Sequence, residues 1–149
     1  MKLTGRHAWY ALAVYMGGAL GVSIYTFVYA KGYSYLTNDP RACLNCHVMK
    51  EQYDGWVKAP HRNVASCNDC HTPHNLVGKL ATKANNGFWH SYYFTTQTYA
   101  EPIRITARNR RIAINNCRSC HAAVTDAIDG VHQGSGKLDC LHCHQNIGH

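Results

Sequence analysis

The sequence has no cysteine to spare. Its 149 residues contain eight, and they form four pairs: Cys43/Cys46, Cys67/Cys70, Cys117/Cys120 and Cys140/Cys143. A histidine follows each pair at once: His47, His71, His121 and His144. No thiol is left over for a disulfide framework, and the C-x-x-C-H spacing is that of covalent c-type haem attachment rather than of zinc or a thioredoxin-like redox pair. Two thiols add across the haem vinyls, and the next residue sets an imidazole under the iron. The expected cofactor is four haem c.

A second absence is of charge. Between Arg6 and Lys31 no side chain is formally charged, over HAWYALAVYMGGALGVSIYTFVYA. About 20 mostly apolar residues cross a bilayer. Lys2 and Arg6 before the stretch place the N-terminus in the cytoplasm. Trp9 and Tyr10 at one end, and Tyr29, Tyr33 and Tyr35 at the other, suit interfacial belts. A cleaved signal peptide ending at Val28-Tyr29-Ala30 is the rival, but the apolar run exceeds the usual roughly 7–15 residues of such a segment. The expectation is an uncleaved signal-anchor crossing the bacterial inner membrane once, with the haem domain in the periplasm. Gly17 and Gly21 make a G-x-x-x-G that permits close helix contact, a motif also common by chance. A homo-oligomer within a larger complex stays open.

Low-complexity tracts, a Pro/Gly-rich linker and strand-like alternation are also lacking. Residues 1–35 therefore read as cytoplasmic N-terminus and anchor, and 36–149 as one tetrahaem domain. The fold class is mainly α with much irregular structure: one transmembrane helix plus a compact domain of short helices and loops. The motifs group two and two, which suggests dihaem halves at about 36–75 and 112–149. Roughly thirty residues per haem leave little room for a protein core, so the porphyrin faces must supply much of the apolar interior.

The formal charge is +7. Four haems add roughly eight propionate charges, which returns the loaded protein near neutrality and argues against a nucleic-acid partner. Arg104, Arg108, Arg110 and Arg111 serve propionate pairing, a solvated face, or docking to membrane lipid or an acidic partner.

In the connector, Asn75 is placed to cap a helix starting near Leu76. Leu76, Leu80, Ala84, Gly87 and Ser91 repeat at helical spacing. Lys83 and His90 share a face about 10 Å apart. Asn85-Asn86-Gly87 predicts a kink or break.

PHRNVASCNDCHTPHNLVGKLATKANNG (60–87), CLHCHQNIGH (140–149) and CLNCHVM (43–49), behind an N-terminal anchor, resemble the NapC/NrfH family of membrane-anchored multihaem quinol dehydrogenases, and within it the nitrite reductase small subunits. The resemblance implies quinol, in particular menaquinol, as substrate. It also implies a periplasmic pentahaem cytochrome c nitrite reductase, or a similar reductase, as partner. His61 resembles the distal ligand of the third haem, and His149 that of the second. Lys83 resembles a lysine at the quinol pocket beside the first haem, and Met49 the methionine associated with that haem.

His90 stands where relatives carry an aspartate, with two readings: ligand at the first iron, or proton acceptor beside the quinol. His132 is the candidate distal ligand of the fourth haem. Met49 approaches from the same side as His47, so the two compete for the first iron, or Met49 packs on the porphyrin edge. Lys83 has a membrane-lipid reading too, binding phosphate at the interface. Alternatives to the main function are service to another periplasmic reductase as in the NapC branch, the reverse reaction into quinone, and a plain membrane-tethered carrier.

Overall fold

The computed structural model describes residues 5–131 and 138–149. The chain forms two compact units, 1–37 and 38–149. The first holds α1, Gly5–Tyr29, followed by a 3₁₀ turn over Gly32–Leu36. With no charge from His7 to Ala30, α1 is apolar on every side, the pattern of a helix surrounded by lipid rather than packed on a core. Its best window has a mean hydropathy of 1.6, and none of that window is buried. Lys31 takes a left-handed conformation at φ 52° and turns the chain out of the helix.

The second unit is built from short pieces. In order they are 3₁₀ turns at Pro40–Asn45 and His47–Met49, α2 (Lys50–Lys58), a 3₁₀ turn at Pro60–Asn63, α3 (Cys67–His71), α4 (Leu76–Thr96), α5 (Ala107–Cys120), α6 (Ala122–Val131) and α7 (Cys140–Cys143). No strand occurs among the described residues. Local chemistry starts α3, α4, α5 and α7. Ser66 and Asp69 form a capping box on α3. The Asn75 side chain accepts from the Gly78 amide at 2.7 Å, Thr106 accepts from Asn109 at 3.3 Å, and Asp139 accepts from Leu141 at 3.1 Å. Each satisfies an amide that the first helical turn cannot pair internally.

One expectation for α4 changes. The helix runs through Asn85-Asn86-Gly87 without a break. Asn86 accepts from Asn109 on α5 at 3.2 Å, so its side chain is held by a neighbour instead of competing with its own backbone. Leu76 and Leu80, which head the row at helical spacing, are exposed, while Thr82 and Lys83 are buried.

Packing within this unit is largely polar. Asn116 on α5 donates to the carbonyls of Cys70 at 3.0 Å and Thr72 at 2.8 Å, which joins α5 to α3. Arg118 pairs with Asp129 at 2.5 Å and donates to the Leu138 carbonyl at 2.8 Å; Arg110 pairs with Asp139 at 2.5 Å. Among the described residues the only buried hydrophobic side chain is Ala113.

Candidate functional site

The four C-x-x-C-H motifs fall at element ends. The first joins the 3₁₀ turns at Pro40–Asn45 and His47–Met49, the second is α3, the third closes α5, and the fourth is α7. Their thiols neighbour one another in chain order. Cys43 and Cys67 share a hydrogen bond that holds Cys43 down to about 7 and pushes Cys67 up. Burial raises Cys70, and the nearby Cys117, Asp69 and Cys120 add to it. Burial also raises Cys117, with Cys140 next to it in effect. Thioethers do not titrate, so these shifts matter for what they say of proximity: site one meets two, two meets three, and three meets four. Among the described residues no three His, Cys, Asp or Glu side chains converge as they would on a bare metal ion.

The histidines test whether the chain fits haem iron. Two imidazoles bound at about 2 Å to one metal stand with their centroids about 6 Å apart. The rings of His61 and His121 are 6.0 Å apart, with planes at 88°. Those of His71 and His149 are 5.9 Å apart, with planes at 17°. Both pairs join a motif histidine to one from a distant part of the chain, and both fit an iron between them. His61 Nδ1 donates to the Ile147 carbonyl at 3.3 Å, which leaves Nε2 for the metal. Burial lowers the pKa of His71, and the charges of His149 and His90 lower it further. An imidazole that stays neutral is the form that ligates.

The first and fourth sites differ. The ring facing His47 belongs to Phe94, at 5.9 Å and 68°. A phenyl covers an iron face without ligating it. Met49 ends the 3₁₀ turn that begins at His47 and is half-buried. Side chains two apart in such a turn leave it about 120° from each other. His90 sits one turn before Phe94, and its electrostatic effect is felt at His71. His144 caps α7, and its expected partner His132 lies outside the described residues. His74 donates to the Asp69 carbonyl at 3.1 Å.

Lys83 is 6% exposed, unusual for a lysine. Burial pulls its pKa below the ordinary lysine range; Lys79 adds to this, and Cys43 opposes it, which puts the amine within electrostatic reach of the first attachment site. Thr82 beside it is almost fully buried, and Arg108 of α5 reaches its hydroxyl at 3.5 Å. Desolvation of its ring also lowers the pKa of His90.

Beyond Lys83 the helix carries an aromatic run that the sequence reading passed over. Trp89 contacts Phe88, Tyr92 and Tyr93 at centroid distances of 5.3, 5.8 and 5.4 Å. All four rings are exposed. The available signal was the absence of any formal charge from Ala84 to Ala100.

Comparison with known proteins agrees with this chemistry. A family model described as the NapC/NirT cytochrome c family, N-terminal region, matches residues 5–149. Cytochrome c-type protein NrfH of Wolinella succinogenes is 38% identical over 150 residues, covering 94% of this chain and 85% of that protein. Cytochrome c nitrite reductase subunit NrfH of Nitratidesulfovibrio vulgaris is 33% identical over 139 residues, with 93% and 84% covered. A crystal structure of the cytochrome c nitrite reductase NrfHA complex bound to the HQNO inhibitor has a chain that superposes with a TM-score of 0.66 at 29% identity, covering 91% of this chain and 88% of that one.

Proposed function

Because the chain belongs to the NapC/NirT cytochrome c family, a family of proteins with covalently bound haem c, we propose that it is the membrane-anchored subunit that oxidises quinol for a nitrite-reducing partner. The likeness to two NrfH proteins and to a chain of an NrfHA complex supports the partner. We assign one haem to each motif, four in all. The bound haems supply one-electron transfer.

The residues divide the remaining work. The eight cysteines tether, and His71 with His149, and His121 with His61, hold the second and third irons. His144 with His132 is assigned to the fourth, and His47 or Met49 to the first. Oxidising a quinol releases two electrons and two protons. Lys83, when neutral, accepts one proton at the edge of the first attachment site. His90, seven residues further along the same helix, accepts the other. Lowering the lysine pKa by burial brings its neutral form towards working pH. The exposed aromatic run that follows offers apolar contact to a quinol leaving lipid.

The substrate is menaquinol by family resemblance. The anchor sits in the bacterial inner membrane, N-terminus inside and haem unit in the periplasm, by the placement of Lys2 and Arg6. Burial of Lys83 within reach of Cys43 carries the quinol half of this reading.

The test is reconstitution of the haem-loaded full chain with the pentahaem nitrite reductase and a menaquinol analogue. Nitrite consumption that needs all three components is the expected result. Reduction by quinol with no transfer to the reductase would move the assignment to another periplasmic partner.

A further inference from the structure

The last three residues of the chain touch two attachment sites at once. The His149 ring faces His71 of the second site at 5.9 Å. Two residues earlier, the Ile147 carbonyl accepts from His61 Nδ1 at 3.3 Å, and His61 faces His121 of the third site. That bond is long for its type, so it fixes the direction of the imidazole more than it adds energy. The outer hydrogen bond of a ligating histidine sets its tautomer and ring orientation.

A third contact admits the segment. A Cβ built on Gly55 of α2 would lie 2.9 Å from the His149 Cα, 3.0 Å from its Cβ and 3.3 Å from its carbonyl carbon. Two of these are backbone atoms, so no flexible side-chain tip can yield. Any larger residue at 55 must displace the His149 backbone or α2 and so disturb the seat of His149 against His71.

We propose that residues 147–149 form a strap that sets the iron environment of the second and third sites together, with Gly55 as the positioning residue that lets it seat. The proposal rests on the reading of His149 and His61 as axial ligands. His149 supplies a ligand directly. Ile147 acts through His61, holding its ring nearly perpendicular to His121. A disturbance of the strap therefore changes both sites, although only one loses a ligand.

Ring orientation makes the two sites separable. Nearly parallel imidazoles split the iron d orbitals unequally and give a rhombic low-spin resonance, whereas perpendicular ones leave two orbitals close in energy and give a highly anisotropic one. The experiment is low-temperature electron paramagnetic resonance of the oxidised, haem-loaded full chain, with covalent haem content checked by mass. The variants are His149→Ala, Gly55→Ala and removal of residues 147–149.

His149→Ala is expected to lose the rhombic signal to high spin and to keep the anisotropic one. Gly55→Ala and the truncation are expected to lose the first and shift the second. If His149→Ala leaves the rhombic signal intact, the ligand reading fails and takes the strap with it. If His149→Ala behaves as expected but the truncation leaves the anisotropic signal where it was, the ligand reading stands and the strap is overturned. Wild-type signals in Gly55→Ala alone would remove Gly55 from the account.

Discussion

The imidazoles of His61 and His121 come from opposite sides of the second attachment site in the chain, yet they face each other at 6.0 Å with planes at 88°. His71 and His149 face each other at nearly the same distance with planes at 17°. Equal separation with different orientation gives a spectroscopic prediction. In the oxidised protein the third site will give a highly anisotropic signal and the second a rhombic one, and His61→Ala will remove only the former. Loss of the rhombic signal instead would reverse the pairing.

Counting haems is the next test. The intact protein should have the mass of its chain plus four haems. Replacing Cys140 and Cys143 together by alanine should lower the count by one and leave the other three attached. A wild-type mass with fewer than four would remove an attachment site from the account.

Asn116 joins two motif-bearing helices through two hydrogen bonds to backbone carbonyls, at 3.0 and 2.8 Å. Asn116→Ala leaves the Cys70 and Thr72 carbonyls without that donor. The expected cost is about 1–3 kcal/mol, read as a lower midpoint in thermal unfolding of the haem-loaded protein. An unchanged midpoint would show that the haems alone hold α3 against α5.

These relationships separate what was legible in the sequence from what was not. The apolar span and the start of α4 could be read because each depends on neighbours in the chain: a run without charge, and an asparagine three residues before the amide it caps. The continuity of α4 through Asn85-Asn86-Gly87 could not, because it depends on Asn109 of another helix. The buried face of α4 was not legible either, for a related reason. Leu76 and Leu80 mark an apolar row, but among the described residues almost no aliphatic side chain is buried, and Thr82 and Lys83 are covered instead. Phe94 opposite His47 was equally out of reach, since no local rule pairs a motif histidine with a phenyl ring 47 residues on. The contact between His61 and Ile147 spans 86 residues and has no sequence signature.

The lowered pKa of Lys83 gives a pH dependence with a definite sign. Below that pKa the amine is an ammonium and cannot accept a proton; above it the amine is neutral and can. Because burial moves the pKa down, quinol-driven haem reduction should rise with pH at values below the ordinary lysine range. Lys83→Ala should lose that rise. A wild-type rate that falls over the same interval, or an identical rise in the variant, would take the proton-accepting role away from Lys83.

The most direct test of the central claim is stopped-flow haem reduction by a menaquinol analogue, in detergent, for wild type and Lys83→Ala. The account predicts prompt reduction in wild type and loss of at least tenfold in rate in the variant, about 1.4 kcal/mol of barrier or more, with all four haems retained. Fully loaded wild-type protein that no quinol reduces would contradict it and leave a membrane-tethered electron carrier without a quinol site.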